Sequence, residues 1–270
     1  LLLMSEIVDT SNTEFNEFMH MPIVALRGLT VFPGMSLHFD VGRKKSIAAL
    51  KNAMNNNQRI FLVAQKDAGV NEPELDDLYE VGVVCEIKQM IKIPNSPNLR
   101  VAVEGLCRGD LITIIQPKPF LVGVINEIDE KIAPQTPENN AYARLLKDEF
   151  ENYALKIAKV SNEVISKIIS INEIGELADF ICANTFFDYP DKQKILNEFD
   201  PQKRAEMLFT LLKNENLTLN IEAEIQEKVN KEVDKNQREY YLREEMKVIA
   251  DQLGDGENPI EEADEYSCLL

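Results

Sequence analysis

Residues 21–42 read MPIVALRGLTVFPGMSLHFDVG. Short apolar runs rich in Val, Ile and Phe are cut by Arg27-Gly28 and again by Phe32-Pro33-Gly34. β-Branched and aromatic side chains favour a half-buried pleated surface, while Pro and Gly enforce turns, so two strands are predicted here. They feed a helix that begins in Arg43-Lys44-Lys45-Ser46, repeats its apolar positions at Ile47, Leu50 and Met54, and stops in Asn55-Asn56-Asn57. The stretch opens a domain and carries no catalytic group.

Working outward, 59–65 has a continuous apolar centre and is predicted as a strand, and 67–78 is an acidic loop around Pro73. Residues 79–93 and 99–103 are predicted as strands joined through Pro94-Asn95-Ser96-Pro97-Asn98, residue types that suit a hairpin connection and not a strand interior. Further strands are expected at 111–115 and 120–128. About six short strands with one main helix predict a closed or half-closed β-barrel over 21–128.

A linker is expected at 129–140, where Pro134 and Pro137 sit among polar residues. After it the apolar period becomes helical. Thr136-Pro137 reads as a cap with proline in the first turn, and Leu145, Leu146, Phe150, Ala154, Ile157 and Ala158 mark one face. Ser170 with Glu173 reads as a capping box, and Tyr189-Pro190 and Asp200-Pro201 punctuate two more helices. An all-α bundle is therefore expected over 141–216. A long helix follows over 217–254, stopping at Gly254, with Ile221, Ile225, Val229 and Val233 and then Leu242, Met246, Ile249 and Leu253 as a heptad-like stripe. That stripe fits either a coiled coil or a face packed on its own domain. Residues 1–20 are expected as a flexible tail and 255–270 as an acidic one. The fold class is α+β.

The 270 residues carry 29 basic and 46 acidic side chains, a net charge of −17. That surplus argues against general attraction to nucleic-acid phosphates. From 129 onward there are 17 basic against 31 acidic residues, so most of the acidity lies in the second half, which supports a boundary there. Cys85, Cys107, Cys182 and Cys268 are far apart with no C-x-x-C pair, which predicts reduced thiols and a cytoplasmic setting. His20 and His38 have no neighbouring ligands, so no metal is expected; Glu74, Asp76 and Asp77 lack the spacing and glycine of a calcium loop. No apolar run reaches the length of a membrane span. Leu1-Leu2-Leu3 is too short for a signal-peptide core and precedes Met4, a plausible start.

Three stretches resemble the amino-terminal region of the Lon family of ATP-dependent proteases. The first is the opening segment with its continuations GRKKSIAALKNAM and RIFLVAQKD. The second is DLYEVGVVCEIKQMIKIPNSPNLRVAVEGLCRG, and the third NQREYYLREEMK at 236–247 followed by Gln252-Leu253-Gly254. Together they bracket nearly all of 21–254. The resemblance implies a PUA-like barrel and a helical bundle that capture unfolded or degron-bearing protein substrates and stabilise a homohexamer. It further implies that ATP and magnesium belong to an ATPase module of a longer parent. This chain has no G-x-x-x-x-G-K-[ST] to cradle phosphates and no Ser-Lys peptidase dyad, so it is expected to be non-catalytic by itself. The alternative is a stand-alone adaptor or ligand-binding module built on the same barrel.

Capture of unfolded chains calls for accessible apolar side chains, and flexible Met suits varied partners. Met90, Ile91 and Ile93 near the hairpin tip are candidates, with Met35 and Leu37 as neighbours; the competing reading is that they belong to the sheet's core. Strand alternation puts Met90 on the face opposite Ile91 and Ile93. Arg43, Lys44 and Lys45 are candidates for holding acidic degrons or peptide carboxylates, against the simpler reading of a solvated helix start. Lysines at a helix amino terminus oppose the helix dipole, which favours the functional reading slightly.

Overall fold

In the computed structural model the described residues are 18–253 apart from 131, 158 and 159. Residues 1–17, Gly254, the tail at 255–270, Cys268 and Ala158 lie outside them. The opening stretch forms β1 (Met19–Leu26) and β2 (Ser36–Val41) and runs into α1 (Lys44–Asn55). β3 (Arg59–Ala64), β4 (Val81–Lys92), β5 (Leu99–Gln116) and β6 (Val122–Glu127) complete one sheet. β1 and β3 are parallel, so the chain must cross over between them, and α1 packs against both. The antiparallel pairs β3–β4, β4–β5, β5–β6 and β6–β1 close a five-stranded ring, with β2 attached to the flank of β5.

Ile23 and Ala25 of β1, Phe61 and Val63 of β3, Val84, Leu111 and Ile125 fill one buried cluster. Their strand neighbours Val24, Leu26, Ile60, Leu62, Val83 and Cys85 are also buried, on the opposite face; Ala49, Leu50 and Ala53 of α1 are buried as well. Burial on both faces explains why these strands read as unbroken apolar runs. Each fully buried Leu, Ile or Val contributes about 1.5–3 kcal/mol.

The strands expected at 99–103 and 111–115 are one continuous 18-residue strand, β5. Its glycines are packing positions and not turns. A Cβ on Gly105 would lie 2.3 Å from the Phe32 carbonyl oxygen, and one on Gly109 2.8 Å from Ile125 and 2.9 Å from Phe61.

α2 (Pro137–Lys156) is capped by Thr136, whose side chain accepts from Asn139 N at 3.1 Å; it buries Ala143, Leu146, Phe150 and Tyr153. α3 (Asn162–Ser170) starts at Ser161, and α4 (Ile174–Ala183) at Glu173, whose carboxylate accepts from Glu176 N. The expected Ser170–Glu173 box is thus corrected: Ser170 ends α3, donating its hydroxyl to Lys167 O, and Glu173 caps alone. α5 (Tyr189–Leu196) follows the Tyr189-Pro190 signal.

α6 (Pro201–Leu253) starts at Asp200, which accepts from Gln202 N at 2.9 Å, and continues for 53 residues without the break expected near 217. No Pro or Gly interrupts it after Pro201. The chain divides into two compact units, one up to Lys213 and one from Asn214. Within the first, α6 buries Arg204, Ala205, Leu208 and Leu212. In the second, Leu217, Ile221, Ile225, Val229 and Val233 are exposed, as are Leu242, Met246 and Ile249.

Candidate functional site

The Phe32–Met35 turn is local chemistry: Met35 N donates to Phe32 O, Pro33 takes the second position, and Gly34 the third at φ +70°. Gly34 N also donates to Gly105 O, and Gly105 N to Met35 O, which fastens the turn to β5. Pro33 and Met35 are thereby held at the mouth of a groove between the barrel and helices α3 and α4. Three adjoining cavities of about 640, 450 and 440 Å³ make up this groove. Pro33 and Gly34 line two of them, as do Ile132 and Glu173, and Lys167. Leu106, Ile128, Ile132, Val164 and Phe180 extend its apolar wall, and Ile132 is 84% exposed.

Beneath the groove lies a buried ion network drawn from four segments. Arg108 on β5 is fully buried; its guanidinium donates to Asp179 Oδ1 and Oδ2 on α4 at 2.6 and 2.7 Å, to Glu130, and through Nε to Leu196 O at 2.9 Å. Arg204 on α6, also fully buried, donates from Nη2 to Glu130 Oε2 at 2.9 Å and lies 3.4 Å from Asp179. Two cations and two carboxylates balance, which is what makes their removal from water tolerable. Gly175 leaves the room required, since a Cβ there would lie 2.9 Å from Arg204 Nη2. Burial pushes the Glu130 carboxyl upward, but hydrogen bonding and charge from Arg204 and Arg108 outweigh it and hold the group below the ordinary glutamate value. Gln193 Nε2 donating to Val81 O at 2.8 Å and Thr30 Oγ1 to Tyr189 O at 3.2 Å add further ties between barrel and helices.

Among the sequence candidates, Met35 alone lines this groove. Leu37 is half-buried opposite Val103, and Met90 half-buried opposite Val101 and level with Phe39. Ile91 is 49% exposed beside Arg100, which pairs with Asp40 at 2.7 Å; Ile93 is half-buried. Phe39, level with Met90 across β5, is four residues from Met35, roughly 13 Å, so Met90 lies farther still and the apolar candidates form no single patch. The basic run is divided as well. Arg43 donates to Ala25 O at 2.6 Å, Lys45 pairs with Glu72 at 2.8 Å, and Lys44 is exposed. Burial and then the charge of Arg27 lower the Arg43 pKa. Sequence reading missed Arg108, Asp179, Glu130, Arg204, Leu106 and Ile132. The available signal was a lone charge in an apolar run, as in ELADFICA, where Asp179 sits among Leu177, Ala178 and Ile181.

Cys85 and Cys182 are buried free thiols pushed upward in pKa by burial, and Cys107 is pushed up to about 11, by burial and then Glu127. None is poised as a nucleophile. Among the described residues no His, Cys, Asp and Glu group could hold a metal ion, and no helix is long and apolar enough to cross a membrane.

The fold is a barrel-and-helix module with an open groove between the barrel and helices α3 and α4. The N-terminal domain of the Mycobacterium avium complex Lon protease shares the fold at TM-score 0.61 and 18% identity, covering 72% of this chain and 98% of that one. A Lon N-terminal domain protein from Xanthomonas campestris matches at TM-score 0.53 and 14% identity, covering 71% and 98%. Residues 20–214 match the ATP-dependent protease La (LON) substrate-binding domain, and the chain belongs to that family. It is 40% identical over 247 residues to the Lon protease of Clostridium acetobutylicum and 41% over 250 to that of Clostridioides difficile. These alignments cover 92% and 91% of this chain but 32% of each relative, so the chain spans about a third of their length.

Proposed function

We propose that the groove beside Met35 is where this substrate-binding region receives exposed apolar segments of misfolded and short-lived regulatory proteins, for an ATP-dependent serine protease. The observation that carries the reading is an apolar wall left open to solvent above a buried ionic floor, on a scaffold of the Lon substrate-binding family. Burying apolar area there yields about 25 cal/mol per Å² before the costs of association. In this reading 21–128 is the barrel domain, 129–140 the connection to a helical bundle over 141–216, and the part of α6 from 217 onward leads toward an ATPase module. That module holds ATP and magnesium, and the parent assembles as a cytoplasmic homohexamer.

Binding of a fluorescently labelled unfolded casein to the 270-residue chain tests it. A Leu106→Asp/Ile132→Asp variant is expected to lose the binding, while Ile91→Asp, at the hairpin, retains it. Equal binding by all three proteins, or peptide hydrolysis by the pure chain, would overturn the reading.

A further inference from the structure

We propose that the groove selects by charge, accepting apolar segments flanked by Lys or Arg and disfavouring those flanked by Asp or Glu; this rests on the groove being the docking site. Of the carboxylates lining it, Glu130 and Asp179 are neutralised by Arg108 and Arg204, and Glu173 is occupied by Glu176 N and Ala133 N. Asp129, Glu163 and Glu176 are exposed on the rim. Lys167 is the one other cation among the described lining residues, and it lies over the Phe180 ring at 4.5 Å. An incoming segment thus meets apolar walls edged by three exposed carboxylates against one lysine, and Arg or Lys beside its apolar core would answer that excess. The basic run at 43–45 offers no counterweight here, because it lines none of the three groove cavities.

The test uses fluorescein-labelled peptides sharing one leucine and phenylalanine core, flanked by lysine, serine or glutamate, titrated with the 270-residue chain. Lysine flanks are expected to bind on the order of tenfold tighter than glutamate flanks at low salt, and the gap should close near roughly 1 M salt, where screening acts within about 3 Å. Because the whole chain is acidic, two charge-matched variants separate the groove from the overall field. Asp129→Asn/Glu163→Gln/Glu176→Gln removes the rim carboxylates; Glu222→Gln/Glu224→Gln/Glu232→Gln removes three from α6. The first should abolish the preference and the second should keep it. Equal losses in both variants, no loss in the rim variant, or equal affinity for all flanks would overturn the charge selection. Retained sensitivity to Leu106→Asp/Ile132→Asp in those cases leaves the docking site standing, whereas insensitivity removes it too.

Discussion

The arginines of the internal network and the basic run at 43–45 carry the same positive charge in different surroundings. Arg108 and Arg204 are fully buried and share Asp179 and Glu130, so four segments far apart in sequence are held by one balanced set of charges. Lys45 pairs with Glu72, whose side chain is 74% exposed, and there water competes for both charges. Burial decides the outcome: inside, an unpaired charge has no alternative partner, while at the surface it regains its hydration. The densest basic cluster in the sequence is thus divided among separate contacts at the barrel surface, and an isolated arginine between Cys107 and Gly109 organises the joint beneath the groove.

The most forceful way to break this contrast is Asp179→Ala. It leaves Arg108 and Arg204 sharing Glu130 alone, and removal of one partner from a buried set costs about 3–5 kcal/mol. Urea denaturation should show a large drop in midpoint, with weaker peptide binding as α4 loosens from the groove. A midpoint within error of the parent would mean that the network is dispensable and the contrast false.

A smaller effect sharpens the same comparison through pH. Glu130 has its pKa depressed in the folded chain, so in the unfolded chain it takes up a proton first as pH falls. Its contribution to stability is fully present above the ordinary glutamate range near 4.3 and is lost as pH falls through the lower folded value. Below about pH 5 the urea midpoint should fall, and Glu130→Gln, less stable at neutral pH, should fall less steeply there. Salt should leave this difference largely intact, because buried charges are weakly screened. A parallel fall in both proteins would show that Glu130 contributes nothing to acid sensitivity.

What could be read in advance follows from locality. The Pro33-Gly34 turn, the hairpin at 94–98, the Thr136 cap and the Asp200-Pro201 helix start each depend on a few adjacent residues, and each is where the sequence puts it. Met35 was reachable for the same reason, because the turn that presents it is local. The gap expected between 103 and 111 holds Gly105 and Gly109, whose role lies in distant neighbours, Phe32 and Ile125. The ionic floor was invisible for a stronger version of that reason: Arg108 meets Asp179 71 positions away, and Arg204 meets Glu130 across 74. Leu106 and Ile132 looked like ordinary apolar residues, since only the approach of α4 makes a wall of them.

The weakest expected effect separates the members of the basic run from one another. Arg43 is half-buried and donates to Ala25 O at 2.6 Å at the end of β1, so Arg43→Ala removes a real hydrogen bond and should cost about 1 kcal/mol. Lys45→Ala only releases Glu72 to water, and its urea midpoint should match the parent at every salt concentration. Neither variant should alter peptide capture, because neither side chain lines the groove. Lost binding of acid-flanked peptides in Lys44→Ala or Lys45→Ala would instead restore the run as a second docking surface, and surface charge would then have a directive part in recognition.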